Sequence, residues 1–178
     1  DLGKDLKFIK NNFKAQAKCL NTYVDFFYLD VMSSLKECQI AINSIKSFKK
    51  EFLLGIHIRK GGKLPSGEKI LKVIKKNEKY KPIGIILSCV SIEDVAEVFK
   101  DLKKIKCPYG FKINAFEHIP AGWKPDSNNP KVQLGKRNDL NPLKFAKICI
   151  KFNKMGANIL GGCCETTPSH IKKLRSLI

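Results

Sequence analysis

The chain has 178 residues and a formal net charge of +18, with 34 lysines and arginines against 16 aspartates and glutamates. This length suits one domain with a sizeable core, and no apolar run approaches the ~18 residues of a membrane span, so we expect no membrane partner. The charge leaves nucleic-acid binding as an alternative. However, nearly all the basic residues are lysines spread along predicted helices, which favours a solvated surface over a nucleic-acid site.

The seven cysteines favour a reducing compartment. Their number is odd, two of them are adjacent, and no signal peptide precedes them, so we expect a cytoplasmic protein without a disulfide framework. Four cysteines lie in or beside helical patterns and are predicted to be small buried hydrophobic residues: Cys19, Cys38, Cys107 and Cys149.

Predicted strands and helices alternate along the chain, which indicates an α/β fold with parallel strands and right-handed crossovers. After an amphipathic helix within residues 1–20, strands are predicted at 24–30, 52–58, 82–88, 111–116 and 157–161. The helices that follow them are predicted at about 33–48, from 66, from 92 to 105, at 142–155 and from 168.

Residues 117–141 form an unusually long connection, rich in Gly, Pro, Asn and Asp. Long loops in compact folds are usually functional or disordered, and this one follows a strand, on the face where the strands end. Trp123, the single tryptophan, lies in it. The residue either anchors the loop or contacts a substrate.

The adjacent cysteines Cys163 and Cys164 follow a short apolar run, 157–160, and a pair of glycines. Because neighbouring strand residues point to opposite faces, two consecutive thiols can share a ligand only if the chain bends, which the glycines permit. Adjacent thiols arranged in this way suit a soft metal, and zinc fits best.

Cys89 is the best candidate for a third ligand, because it closes a second apolar run, 83–88. In a parallel α/β barrel the carboxyl ends of the strands form the face that carries the active site. Three thiolates leave one position on the metal open, which is typical of catalytic zinc. The plain alternative is a set of buried free thiols.

The run from Gly161 through Cys163, Cys164 and on to Thr-Thr-Pro-Ser-His-Ile, with an upstream strand-end cysteine, resembles the homocysteine S-methyltransferase family. Residues 64–68 resemble the family's segment after its fifth strand, 114–116 the end of its seventh strand, and 134–142 the approach to its seventh helix. The likeness extends from about residue 25 to residue 178.

This resemblance implies a (β/α)₈ TIM barrel, a fold that usually needs roughly 250 residues. The chain is shorter, lacks an initiator Met and begins in a helix, so we expect residues 1–178 to be a single domain, the C-terminal part of the barrel. About five strands would be present and the first three missing. Such an incomplete barrel exposes two sheet edges, and we expect self-association through them.

The resemblance also implies zinc-dependent transfer of a methyl group to homocysteine, giving methionine, with Cys89, Cys163 and Cys164 as metal ligands and a methyl donor as second partner. Asp30 stands where the family places a carboxylate for the substrate ammonium, usually Glu, although it could instead cap a helix. Asn114 could orient the amino acid, or cap a turn. A non-catalytic zinc-binding remnant is the alternative function.

Two residues beside the predicted metal ligands depart from the family pattern. Ser88 stands where Asn commonly precedes the first zinc cysteine, and Glu165 follows the cysteine pair where Gly is common. Neither change removes a metal ligand, but both bear on how substrate is held. The three histidines, His57, His118 and His170, are not predicted to bind metal.

Overall fold

The computed structural model describes residues 5–120 and 134–178, and its centre is one sheet of five parallel strands. The strands are neighbours in chain order: β1 (Phe27–Met32), β2 (Phe52–Ile56), β3 (Gly84–Val90), β4 (Tyr109–Ile113) and β5 (Ile159–Gly162). Each crossover between consecutive strands contains a helix. In the last crossover, the long 117–141 connection precedes that helix. The predicted α/β class with parallel pairing is confirmed.

Six α-helices lie within the described ranges: α1 (Leu6–Leu20), α2 (Leu35–Ile45), α3 (Ile70–Asn77), α4 (Ile92–Leu102), α5 (Pro142–Lys154) and α6 (Pro168–Arg175). Their starts follow capping rules. Ser34, Ser91 and Asn141 accept hydrogen bonds from backbone N–H groups in the first turns of α2, α4 and α5, which would otherwise lack partners.

The hydrophobic core lies between the sheet and its helices. Leu54, Leu87 and Phe111 are fully buried on adjacent strands, and Phe145 and Ala146 of α5 belong to the same cluster. Alternate strand positions point to the other face of the sheet, and these are more polar. One face of the sheet therefore forms the core, and the other carries the polar side chains that could act chemically.

The polar face is concave. The Lys112 ammonium of β4 lies 2.5 Å from a carboxylate oxygen of Asp30 on β1. Three strand spacings separate β1 from β4, roughly 14 Å in a flat sheet, so side chains that stand off the sheet meet only if it curves. Within the described residues, the outer edges of β1 and β5 pair with no other strand.

Several predicted boundaries were wrong by a few residues, and two of them have a clear reason. Helix α3 begins at Ile70 and not near Ser66, because residues 59–69 form a loop closed by antiparallel bridges of Lys63 with Arg59 and Lys69. Strand β4 spans Tyr109–Ile113, whereas the prediction ran to 116, because beyond Ile113 the chain keeps single backbone bonds to its neighbours but no regular ladder. At β4 the apolar pattern continues through Ala115 and Phe116, and such a pattern does not show where regular backbone pairing stops.

Two further expectations can be compared with the structure. Cys38 and Cys149 are buried in the core as predicted, but Cys19 is exposed on α1, so that prediction was wrong; Cys107 is half-buried. None of the helices in the described ranges combines the length and apolar character needed to cross a membrane.

Candidate metal centre

Three cysteine sulfurs meet at the end of the sheet where the strands terminate. The Sγ of Cys164 lies 3.7 Å from that of Cys89 and 3.9 Å from that of Cys163, and all three fall within 4.8 Å of one another. Thiolates bound to one tetrahedral zinc at ~2.3 Å lie about 3.8 Å apart. The donor type and the spacing both fit such an ion.

Cys89 reaches the cluster through a bulge near the end of β3. Pairing between β3 and β4 shifts register after Ser88, and Cys89 adopts a left-handed backbone with φ of 55°. A bulge redirects a side chain that would otherwise follow the alternation of the strand. A non-glycine residue with this φ is strained, and its surroundings must hold it in place.

Backbone bonds to β4 and to Ala115, just after it, hold the cysteine pair. The N–H of Cys163 donates to the carbonyl of Ile113 at 2.7 Å, and the carbonyl of Cys164 accepts from Ala115 at 2.8 Å. The chain then turns, with Thr166 N–H donating to the carbonyl of Cys163 and Glu165 at φ 63°. The chain therefore bends at Glu165, after the cysteine pair, and not at the two glycines as predicted.

The metal-free cluster shares its protons unequally. The hydrogen bond with Cys89 lowers the pKa of Cys163 to about 6, with burial opposing it and the nearby Lys112 charge assisting. The same hydrogen bond, together with burial, raises the pKa of Cys89, and burial with the Cys163 charge raises that of Cys164. Cys163 is therefore the first thiol to ionise, and a cation would stabilise all three as thiolates.

A polar network covers the concave face beside the cysteines. The Tyr28 hydroxyl and the Ser88 hydroxyl form a 2.5 Å hydrogen bond that crosses β2 above Gly55. A side chain at position 55 would collide with both hydroxyl-bearing residues. The Lys112 ammonium lies 5.0 Å from the centre of the Tyr28 ring, and it also forms the ion pair with Asp30.

Asp30 lies inside β1, and Ser34 caps α2, so the alternative role of Asp30 as a helix cap was wrong. Burial disfavours its ionised form, but the hydrogen bond from the Lys112 ammonium, aided by the nearby hydroxyls of Ser88 and Tyr28, outweighs burial and holds the pKa of Asp30 below its usual range. Its Oδ2 accepts from Lys112, whereas its Oδ1 is buried without a hydrogen-bond partner among the described residues. An ionised carboxylate is therefore present with one acceptor unused.

Asn114 lies just after β4 and is 2% exposed. Its amide donates to the carbonyl of Cys89 at 3.0 Å, and its side-chain oxygen accepts from the N–H of Phe116 at 3.3 Å. The predicted turn-capping role is confirmed. Both ends of its amide are hydrogen-bonded within the protein, and its predicted contact with substrate stays a prediction.

Two residues on this face were missed by sequence reasoning. His57 follows β2, and its Nδ1 lies 3.1 Å from the carbonyl oxygen of Ser88; burial lowers the pKa of His57. Lys112 was counted only among the surface lysines. Its place on the same side of β4 as Asn114, two residues earlier, is the signal that would have found it.

The connection after β4 is pinned where it leaves and returns. The N–H groups of Glu117 and His118 donate to the carbonyls of Gly135 and Leu134, and Arg137 pairs with Glu93 and Asp139. The prediction that the long loop lies on the strand-end face holds for these two ends. Trp123 lies outside the described residues.

A sequence profile for homocysteine S-methyltransferase matches residues 3–178, almost the whole chain. The chain belongs to this family. Homocysteine S-methyltransferase 2 of Saccharomyces cerevisiae is 22% identical over 167 residues, which cover 89% of this chain and 49% of the yeast protein. The chain thus spans about half the length of this curated relative, and membership of the family predicted from the cysteine motif is confirmed.

Proposed function

We propose that this chain takes part in transferring a methyl group to the thiol of homocysteine, which gives methionine, and that Cys89, Cys163 and Cys164 hold the zinc that this reaction uses. The observation that carries the proposal is the convergence of three sulfurs from β3 and from the turn after β5. The S–S distances of 3.7 and 3.9 Å match the ~3.8 Å expected around one tetrahedral zinc.

We further propose that residues 1–178 form a single domain that supplies five strands of an eight-stranded barrel. The curvature of the sheet and its two open edges support this, because three more strands between β1 and β5 would close it. Failing that closure, the same edges would drive self-association. The yeast relative is about twice as long as the matched region, which leaves room for those strands.

Zinc bound by three thiolates would lower the pKa of a fourth, substrate thiol, so that a nucleophilic thiolate exists near neutral pH. The chain's own residues hold and orient the reactants. Asn114 fixes the backbone of Cys89. Asp30, ionised and with Oδ1 unused, accepts a hydrogen bond from the substrate ammonium. His57, with its lowered pKa, adds no positive charge near neutral pH.

The chemical step consumes one thiol and one methyl donor. The substrate sulfur loses its proton to solvent and forms a bond to the methyl carbon, while the bond from that carbon to the donor breaks and its electron pair leaves with the donor. A sulfonium, a quaternary ammonium or a methylated corrinoid meets this requirement. The protein's cysteines do not attack; they hold the site that ionises the substrate.

Metal content and turnover, measured on the same preparations, test this proposal. We expect about one zinc per chain, lost in Cys163→Ser/Cys164→Ser and kept in Cys19→Ser, which removes an exposed cysteine of α1. Methionine formation, assayed in the full-length protein with each donor class, should disappear in Cys164→Ala. Full zinc retention in the double variant, or undiminished turnover in Cys164→Ala, would contradict the proposal.

The remnant alternative makes a different prediction in the same experiment: stoichiometric zinc with no methionine formed from any donor. A nucleic-acid-binding protein would instead show binding that falls steeply with salt and does not depend on the cysteines. We propose a cytoplasmic location for the enzyme, since free thiols persist in reducing compartments. Fractionation of cells expressing the tagged full-length protein tests the location.

A further inference from the structure

The ion pair between Asp30 and Lys112 stands beside the thiol cluster. Both side chains lie on the concave face and not in the apolar core, and they remain 35% and 23% exposed. Desolvation offsets part of the attraction, and apolar side chains at the same positions could serve the fold as well. Since the pair is partly exposed on the concave face, a ligand bound there could use both of its charges.

Lys112 lies on β4, between the two strands that lead to the cysteines. It lies opposite Gly161 of β5, two residues before Cys163, and a side chain at Gly161 would touch the Lys112 stem at 3.5 Å. The Lys112 stem therefore lies next to the strand that leads into Cys163, while its ammonium reaches Asp30. The carboxylate, the ammonium and the sulfurs thus share one small region of the concave face.

The hydrogen-bonding capacity of the pair is only partly used. Asp30 Oδ2 accepts from Lys112, but Oδ1 is buried with no partner in the described part of the chain. Among the described residues, Lys112 Nζ contacts the Asp30 carboxylate and the face of the Tyr28 ring, and an ammonium has three N–H donors. One acceptor and further donors thus remain for a ligand.

An α-amino acid carries an ammonium and a carboxylate on the same carbon. Its ammonium can face the Asp30 carboxylate while its carboxylate faces the Lys112 ammonium. We propose that Lys112 is a specificity residue that binds the α-carboxylate of the thiol substrate while Asp30 binds its α-ammonium, so that the pair selects a zwitterionic amino-acid thiol. This inference rests on the proposed function and names the group that reads the carboxylate.

The test measures thiol binding without turnover. The full-length protein is loaded with Co²⁺, which takes tetrahedral thiolate sites and reports an added thiol through its charge-transfer absorption. Three thiols are titrated: homocysteine, 4-mercaptobutyrate, which lacks the ammonium, and 3-mercaptopropylamine, which lacks the carboxylate. We expect the wild type to bind homocysteine about tenfold or more tightly than either truncated thiol, as charge-assisted hydrogen bonds imply.

Lys112→Met keeps the length of the side chain and removes its charge. We expect the variant to bind homocysteine about tenfold more weakly, and to distinguish homocysteine from 3-mercaptopropylamine no longer. The matched control is Lys104→Met, which breaks the exposed pair with Asp101 and should change no thiol affinity. If Lys112→Met does not fold, Asp30→Asn/Lys112→Met leaves no unpaired charge and should lose both preferences.

The inference and the function on which it rests fail in different ways. Binding of Co²⁺ without a response to any thiol would defeat the proposed function. Thiol binding that ignores the carboxylate in the wild type, or that falls equally for all three thiols in Lys112→Met, would overturn the role of Lys112 alone. Tighter homocysteine binding by Lys112→Met would also overturn it, because Lys112 would then compete with the substrate ammonium for Asp30.

Discussion

The side-chain amide of Asn114 donates a 3.0 Å hydrogen bond to the carbonyl of Cys89, the cysteine whose backbone is left-handed at φ 55°. The backbone N–H of Asn114 also donates to the carbonyl of Val90, so one residue ties both sides of the bulge to β4. The strained conformation that aims the Cys89 sulfur at its two partners therefore depends on a residue that is not itself a ligand.

Asn114→Ala is expected to weaken zinc binding about 10- to 100-fold, the usual effect of removing a group that orients a metal ligand. Competition with a chromophoric chelator measures the affinity. The matched control is Asn141→Ala, which removes the cap of α5 and should cost about 1 kcal/mol of stability without changing zinc affinity. Equal zinc affinity in the wild type and Asn114→Ala would show that Cys89 is held without this amide.

Glu165→Gly is expected to stabilise the fold by up to about 1 kcal/mol. Glu165 is exposed and holds φ at 63°, a conformation that costs an L-residue about 1–2 kcal/mol and glycine little, although glycine gains entropy when unfolded. Chemical denaturation of the metal-free protein measures the change. Glu165→Val serves as the opposite control and should destabilise; a less stable Glu165→Gly protein would contradict the argument.

His170 stabilises the start of α6 from a buried position. Its Nδ1 accepts from the N–H of Thr167 at 3.0 Å, and its Nε2 then donates to the carbonyl of Leu140 at 3.0 Å. His170→Ala is expected to cost about 2 kcal/mol or more, since it removes the capping bond and strands a buried carbonyl. His170→Gln, which can still reach back to the Thr167 N–H, should recover part of this loss in thermal unfolding. Equal losses in both variants would assign the whole effect to packing.

The pair of Asp30 with Lys112 predicts a pH dependence with a definite sign. Because the pKa of Asp30 is lowered in the folded protein, the pair stabilises the fold above the unfolded pKa of about 4, and this contribution is lost as pH falls through the folded value. Asp30→Asn should therefore be less stable than the wild type at pH 7, and the gap should close below about pH 4.

Urea unfolding of the metal-free protein between pH 3 and pH 7 measures that gap, with chelator present so that metal release does not contribute. Asp101→Asn is the control, because its pair with Lys104 is exposed and should give a smaller gap at every pH. A gap for Asp30→Asn that stays constant down to pH 3 would mean that the charge of Asp30 does not contribute to stability.

The order of the elements and the meeting of the three cysteines could both be predicted from the sequence. A local apolar run predicts each strand. Because parallel strands place their carboxyl ends at one edge, Cys89 and Cys163 come together although 74 positions (163 − 89) separate them. Family membership could be predicted as well, because the motif around Cys163 is local in the chain.

The polar face could not be predicted in the same way. The pairing of Asp30 with Lys112 joins residues 82 positions apart and depends on how strongly the sheet curves, which no local pattern encodes. The role of Asn114 likewise depends on a bulge at Cys89, and a bulge adds one residue without changing the apolar pattern. A lysine on a half-buried strand position is indistinguishable in sequence from the many lysines at the surface.

The central claim is that one zinc is held by three protein thiolates and keeps a position for the substrate thiol. X-ray absorption at the zinc edge of the loaded full-length protein, recorded without and with homocysteine, tests it most directly. We expect three sulfur neighbours at ~2.3 Å and one lighter atom, changing to four sulfurs when homocysteine is added. Two or fewer sulfurs in the loaded protein, or a zinc shell that homocysteine leaves unchanged, would contradict the account.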